Sequence, residues 1–498
     1  KTGEIKAIWI ACTNPAQSLP NQAAVRAALD TAEYVVLQEA YGNTDTADYA
    51  NLLLPASGWG EKYGTVTNSE RCITRVMPAV AAPGEARHDW EIVVDFARRL
   101  GRNLGNDGTA KLFPYTDAEA IFNEHRATTR GRDLDITGLS YALLDADGPQ
   151  QWPYPEGARA GKQRLYEDGR FPTADGKARF VAIEHQATAE TTSSALPISL
   201  LSGRLRDHWH GMSRTGTVPR LFNLEDEPVL AMHPCDMRHR GLESGDLVKV
   251  GNGRGEVAVR IAERTGLKKG RAWMPMHWGS QFMNSPGANA LACDATDPYS
   301  KQPELKHAAV QIEKLDLPYP LAVVRSCDTQ AEALNMMQRA RPLLAEFPYA
   351  TLGLYGRQRP LVVFRAAAAA AIDPAVLGAL DSLFGMAGDE GAIVYADTAR
   401  KVSKKAIALD GRLLGVRLAG ETLAQAWLKR AMAEDELDAG MIRFALAPSA
   451  KPPGNIVARN IVCKCADVSD VQIRQALDGG AGMPELQGAL KCGTFCGA

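Results

Sequence analysis

The stretch "GRLRDHWHGMSRTG", Gly203–Gly216, collects what a phosphorylated heterocyclic ligand requires. Arg204, Arg206 and Arg214 supply forked, permanently charged donors for phosphate oxygens. His208, Trp209 and His210 add flat faces and ring N–H groups, Ser213 and Thr215 add hydroxyls, and the glycines let a ligand approach the backbone. The same residues also suit a solvated basic loop around a buried tryptophan. "MHWGSQ", Met276–Gln281, repeats the His–Trp chemistry further on. A second constellation closes the chain. Cys463 and Cys465 form C-x-C, and Cys492 and Cys496 follow in "LKCGTFCGA". Thiolates at this density are the usual ligands of a [2Fe-2S] cluster, two per iron. A zinc site and plain packing remain open readings of the same four residues.

Elements must position these groups, and composition bounds them. At 498 residues the chain has material for roughly three domains of about 150 residues. A formal charge of -2 with 23% charged residues gives no nucleic-acid footprint. No apolar run approaches the roughly 20 residues of a membrane span. Cys12, Cys72, Cys235, Cys293 and Cys327 are scattered singly, which is no disulfide framework, and a reducing cytoplasm is the expected compartment.

Ile5–Ala11 reads as a buried strand, Gln22–Leu29 as a helix and Tyr34–Glu39 as a second strand. This β-loop-α-β unit lacks a GxGxxG fingerprint. Its strand ends carry "CTNPA" and "QEAYGNTDT", where ligands of open α/β sheets gather. The opening strand also suggests a chain that begins inside a domain. "RHDWEIVVDFARRLG" ends in an amphipathic helix, and 103–195 is loop-rich. From Pro197 short strands with turn signals predict a barrel, including a hairpin at Asn252-Gly253. Residues 316–446 read as another α/β region, in which the alanine run Ala366–Ala371 predicts a helix. "APSAKPPG" is a Pro-rich linker to a terminal module with two short helices joined at Gly479–Gly482.

"ADYANLLLPASGWGEKYGTVTNSER", "PGEARHDW", "SGRLRDHWHGMSRTG" and "NALACDATDPYSKQPELK" together resemble the second half of molybdopterin oxidoreductases of the dimethyl-sulfoxide-reductase family. Within it they are most similar to cytoplasmic assimilatory nitrate reductases, over about Gly3–Val310. The resemblance implies an α/β fold: Rossmann-like molybdopterin-binding layers (1–190), a double-psi-type β-barrel that binds the dinucleotide (191–315), an α/β connecting domain (316–454) and a small helical [2Fe-2S]-type domain (455–498). It implies molybdenum held by two molybdopterin guanine dinucleotides, with nitrate reduced to nitrite by oxygen-atom transfer. The implied cofactor contacts are Asn14, Gln38, Glu39, Lys62 and Asp89, then Ser202, Gly203, Arg204, Leu205, Arg206, Asp207, His208, Trp209, His210 and Gly211, then Asn289 and Lys306. Arg71 of "NSER" sits at a family motif and is the implied catalytic residue, a cation facing the nitrate funnel; a structural salt bridge is the other reading.

In that family a cysteine ligand to molybdenum and a [4Fe-4S] site precede the segment with which this chain starts. The tail resembles bacterioferritin-associated-ferredoxin-type [2Fe-2S] domains, which implies Cys463, Cys465 and Cys496 as ligands. The family motif "GT-x-C-G-x-C" runs one residue past Ala498, so Cys492 is the fourth candidate. "KAIALDGRLLGVRLAGETLAQAWL" is similar, over a shorter span, to a segment preceding such clusters in flavin-dependent nitrite reductases. The implied partner is an electron donor: an NADH-dependent flavoprotein, ferredoxin or flavodoxin. A cytoplasmic formate dehydrogenase and a non-catalytic electron-transfer or cofactor-binding chain are the alternatives.

Overall fold

The computed structural model describes residues 2–494 except 107, 358, 435, 436, 438, 453–460, 464, 465 and 467. The chain forms two compact units, one of residues 1–14 and 27–188, the other of 15–26 and 189–498.

In the first unit β1 (Ala7–Ala11), β2 (Tyr34–Glu39) and β3 (Leu52–Pro55) form a parallel sheet in that order. Of β1 only Ile10 is buried, so the strand is shorter and more open than "GEIKAIWIA" suggests. The antiparallel β4 (Gly64–Thr67), β5 (Cys72–Val76) and β6 (Gln150–Gln151) make a second small sheet. Against β5 packs a core of Ile73, Phe122, Ile136, Leu139, Tyr141, Leu144 and Tyr154. The helix Asp89–Asn103 is the amphipathic one, with Ile92 and Val94 buried.

In the second unit β7 (Ile198–Gly203), β8 (Val229–Met232), β9 (Leu247–Asn252), β10 (Gly255–Glu263), β11 (Arg271–Pro275) and β12 (His307–Lys314) close a six-stranded barrel. Two neighbouring pairs are parallel, β7 with β11 and β8 with β10, and the other four are antiparallel. Alternation in β10 drives the closure: Val257, Val259 and Ile261 point inward between half-exposed neighbours.

Residues 319–419 build an antiparallel six-stranded sheet from β13 (Tyr319–Ser326), β14 (Tyr349–Tyr355), β15 (Leu361–Ala368), β16 (Ala392–Asp397), β17 (Val402–Leu409) and β18 (Arg412–Ala419), ordered β14-β15-β13-β18-β17-β16. The alanine run is not a helix: Ala366–Ala368 end β15, and 369–371 leave the strand in a bend. Ala366 and Ala367 lie in β15, paired on both sides by β13 and β14 and fully buried. Alanine's helix preference amounts to at most about 0.7 kcal/mol per residue over ordinary residues, and two ladders of hydrogen bonds outweigh it. The tail holds a short hairpin, β19 (Ile461–Cys463) with β20 (Val468–Ser469), and the two expected helices, Asp470–Asp478 and Met483–Leu490. Among the described residues no helix is long and apolar enough to cross a membrane.

Candidate functional site

Each unit carries one polar cluster. In the first, groups converge past the carboxyl ends of β1–β3, where such sheets bind ligands. Gln38, at the end of β2, donates to Asp89 Oδ1 at 2.8 Å. Lys62 pairs with Asp89 Oδ2 at 3.2 Å and lies 5.0 Å from the centre of the Trp59 ring. The Cys12 thiol approaches Asp89 Oδ1 at 3.8 Å. Burial and then the Asp89 carboxylate push that thiol up, so it stays protonated. Asn14 accepts from the amide and hydroxyl of Thr46 at 3.0 and 2.7 Å, and Glu39 accepts from Ala40 N. Asp89 opens its helix one residue after the capping position held by His88, so its carboxylate is used by side chains rather than as a cap. Buried polar atoms of this unit with no partner among the described residues include Gln38 Oε1, Thr44 Oγ1 and Ser57 Oγ. An unsatisfied buried polar group costs about 1–3 kcal/mol, which a ligand offering donors and acceptors offsets.

The second cluster lies where β7 and β11 run parallel and end together. Past β7 the chain turns through 204–212, with His210 and Met212 both in the left-handed region, at φ 46 and 59. Arg204 lies 3.4 Å from His210 Nε2, and Arg214 stacks 4.5 Å over the Trp209 ring. Lys306 follows Leu305, whose carbonyl accepts from Ser202 Oγ at 2.7 Å. Among the described residues no carboxylate pairs with Arg204, Arg214 or Lys306. Burial and then Arg204 push the Lys306 ammonium down. Burial, Arg204 and Arg214 do the same to His210. Cations that repel one another and lack an acidic partner are suited to an anion. Arg206 differs, since its fork is taken up by Asp207 at 2.7 and 2.8 Å.

Other residues brace this cluster from behind the loop. His277, fully buried, accepts from Leu205 N at 2.8 Å and donates to the His210 carbonyl at 2.7 Å. Gln17 Nε2 donates to the His277 carbonyl at 2.8 Å, and Asn289 Nδ2 donates to the Gln17 and Ser18 carbonyls. A Cβ at Gly211 would lie 1.7 Å from Gln17 Oε1, and one at Gly203 would lie 2.6 Å from Trp273 Nε1, so both glycines mark close approaches. Gly287 opens the turn that carries Asn289, with φ +78, and a Cβ there would lie 1.9 Å from the Trp278 carbonyl oxygen. Gly287→Ala is therefore expected to destabilise the second unit by about 2 kcal/mol, read as a lower denaturation midpoint.

His208, 5% exposed, packs against Phe222 and Trp278, with Nδ1 3.3 Å from Thr215 Oγ1. Burial, then His277, push its pKa from 6.5 to about 4. The folded protein therefore binds fewer protons than the unfolded chain between those values. The contribution is complete above pH 6.5 and is lost as pH falls toward 4. A loss of about 3 kcal/mol across that window is expected, and His208→Gln should flatten this part of a stability-against-pH curve.

Arg71 joins neither cluster. With φ 67, it donates to the carbonyls of Trp152, Lys162 (3.2 Å) and Gln163 (2.8 Å), and its guanidinium lies over the Trp152 ring. Cys463 is buried and accepts from Gly493 N at 3.4 Å; Cys492 is half-buried. Cys465 and Cys496 lie outside the described residues. Sequence reasoning marks His277 only through "MHWGSQ" and does not single out Gln17. Gln17 carries no such signal, since it gains its meaning from residues some 260 positions away.

Comparison with known proteins gives these clusters a class. Residues 1–99 match the family "Molybdopterin oxidoreductase", and residues 198–309 match the "Molydopterin dinucleotide binding domain". The chain thus carries two domains of the molybdopterin oxidoreductase type, and its relatives include nitrate reductases. It is 33% identical to the nitrate reductase of Klebsiella oxytoca over 100% of this chain and 54% of that protein. It is 34% identical to the assimilatory nitrate reductase catalytic subunit of Bacillus subtilis (62% of this chain, 42% of that one). It is also 34% identical to the F420-dependent formate dehydrogenase subunit alpha of Methanocaldococcus jannaschii (62% and 43%). The chain spans about half the length of these relatives.

Proposed function

We propose that this chain supplies the distal, dinucleotide-binding part of a molybdenum-dependent assimilatory nitrate reductase that converts nitrate to nitrite. The observation that favours nitrate over formate is the span of the similarity. The Klebsiella nitrate reductase aligns with the whole chain, including 316–498; the formate dehydrogenase aligns with 62% of it, as does the Bacillus nitrate reductase, so the support comes from one nitrate reductase extending over 316–498. The bis(molybdopterin guanine dinucleotide) cofactor supplies the oxygen-atom transfer, consuming two electrons and two protons per nitrate and releasing water.

The residues of this chain fit such a group by their donor chemistry. Arg204, Arg214 and Lys306, which lack acidic partners among the described residues, are suited to pyrophosphate oxygens. The backbone and rings of Ser202–Gly211 are suited to the rest of one dinucleotide. Asn14, Gln38, Glu39, Lys62 and Asp89, with the orphaned Gln38 Oε1, Thr44 Oγ1 and Ser57 Oγ, offer acceptors and donors for a guanine or pterin edge. Asn289 serves by fixing residues 17 and 18. The reading does not draw on Arg71, whose donors are taken by backbone carbonyls.

In the proposed layout, 1–190 is the Rossmann-like molybdopterin domain and 191–315 a double-psi-type barrel, which the two parallel strand pairs support. Residues 316–454 connect to a [2Fe-2S] domain at 455–498, with Cys463, Cys465, Cys496 and a fourth thiolate such as Cys492 as ligands. A [4Fe-4S] cluster, the molybdenum ligand and a flavoprotein, ferredoxin or flavodoxin donor complete a cytoplasmic enzyme. The complete protein should reduce nitrate with a reduced viologen dye. Oxidation of formate with no nitrate turnover would discard the assignment.

A further inference from the structure

One buried side chain spans the whole loop that presents the cations. Leu205 and His210 mark the two ends of the turn after β7, and His277 bonds both: its Nε2 accepts from Leu205 N and its Nδ1 donates to the His210 carbonyl. This pattern needs one neutral tautomer, with the proton on Nδ1. The bond to the His210 carbonyl also restrains a residue whose φ of 46 is costly for a non-glycine side chain. Behind the imidazole stands Gln17, donating to the His277 carbonyl and gripped between Gly211 and Gly279, where a Cβ on either would lie within 3 Å of its carboxamide. Past the strands, Met276 N donates to the Gly203 carbonyl at 2.9 Å, so the two chains remain tied up to the point where the imidazole takes over.

We infer that His277 is a positioning residue, a neutral imidazole staple that sets the separation of Arg204 and His210 and so the shape of the anion site. Nothing in this role touches ligand. It acts by holding the backbone of 205–210, and with it the positions from which Arg204 and His210, 3.4 Å apart at their side chains, extend. A proton added at Nε2 would set donor against donor at Leu205. It would also add a charge beside Arg204, His208, His210 and Lys306, the charged and titratable groups that face the ring, with Asp207 the nearest counter-charge on the loop. Acid therefore opens the staple and loosens the site from behind.

The inference rests on the proposed dinucleotide reading only for what the site binds, and the test separates the two. Amide hydrogen exchange is measured by peptide in the complete enzyme, with guanine nucleotide per polypeptide measured in parallel. In the wild type the Leu205 amide should be protected near neutral pH and lose protection as acid protonates His277, whose burial pushes its pKa down, beyond the ordinary pH dependence of exchange. In His277→Phe its exchange should be about tenfold faster at neutral pH and carry no such acid step. Guanine nucleotide should be lost in proportion. His277→Asn keeps a donor for the His210 carbonyl but cannot reach Leu205. It should free the Leu205 amide while retaining more nucleotide than His277→Phe, and it serves if the phenylalanine variant fails to fold. Unchanged exchange at 205–211 in both variants overturns the staple. Faster exchange with full nucleotide retention overturns its role in shaping the site. If no preparation holds guanine nucleotide, the dinucleotide reading fails and the exchange data alone decide the staple.

Discussion

Arg204→Glu should strip the guanine nucleotide from the complete enzyme, lowering its retention about a hundredfold. The variant removes one forked donor and places a carboxylate among Lys306, Arg214 and His210. The new acid neutralises a neighbouring cation, so two charges are lost to the ligand rather than one. A hydrogen bond to a charged group is worth about 1.5–3 kcal/mol, or about tenfold to 150-fold in affinity, and the like-charge repulsion of a phosphate adds to it. The present electrostatics set the direction: burial and then Arg204 push Lys306 and His210 toward their neutral forms, and among the described residues no carboxylate pairs with Arg204, Arg214 or Lys306. Arg206→Glu is the informative contrast. Its guanidinium already spends its fork on Asp207, so reversal there should cost much less. Nucleotide released by acid from equal amounts of purified protein measures both. Full retention in Arg204→Glu would remove that residue from the cofactor's surroundings.

Asp226→Ala should lower the stability of the second unit by about 3–5 kcal/mol, the usual cost of removing one partner from a buried ionic group. The Asp226 carboxylate bonds both Arg365 of β15, which is buried, and Lys429 of the helix Gln425–Glu434, which is largely buried. The two cations hold the carboxyl well below the usual carboxylate range against the opposing effect of its burial. Burial pushes the Lys429 ammonium down, so losing the acid leaves a desolvated lysine and arginine side by side. Next to this group Tyr349 donates to Glu227 at 2.6 Å, and Asn223 accepts from Gly356 N at 3.0 Å. The segment 223–227 is thus bonded to the residues of 319–419 at Asn223, Asp226 and Glu227. Because the folded pKa is depressed, the stabilisation is present above the ordinary carboxylate range and is lost as pH falls through and below it. Denaturant unfolding near neutral pH reads the loss. A midpoint within experimental error of the wild type would show that the charges are solvated in solution.

Much of the local structure was legible because it is governed by local rules. Alternating Val257, Val259 and Ile261 around Asn252-Gly253 specified the β9–β10 hairpin, and Gly479–Gly482 separated the two tail helices. The alanine run failed as a helix because pairing from both sides, a non-local effect, outweighs a propensity of a few tenths of a kcal/mol per residue. The inventory of anion-binding groups in Gly203–Gly216 was legible as residue types. Which of its arginines keeps its charge available was not, since Arg206 is neutralised by the adjacent Asp207 and Arg204 is not, although all stand in one run.

The amino-acid sequence by itself determined the chemistry on offer: cations, rings and hydroxyls in one glycine-containing loop, a carboxylate ahead of an amphipathic helix, and thiols at the tail. Only the tertiary structure decided how those groups are used. It turned Arg71 into a clamp on three carbonyls, Asn289 into a brace for residues 17 and 18, and His277 into the staple of a loop some seventy residues away. The physical reason is that a side chain's type fixes which bonds it can make, whereas burial and distant backbone fix which of them it does make.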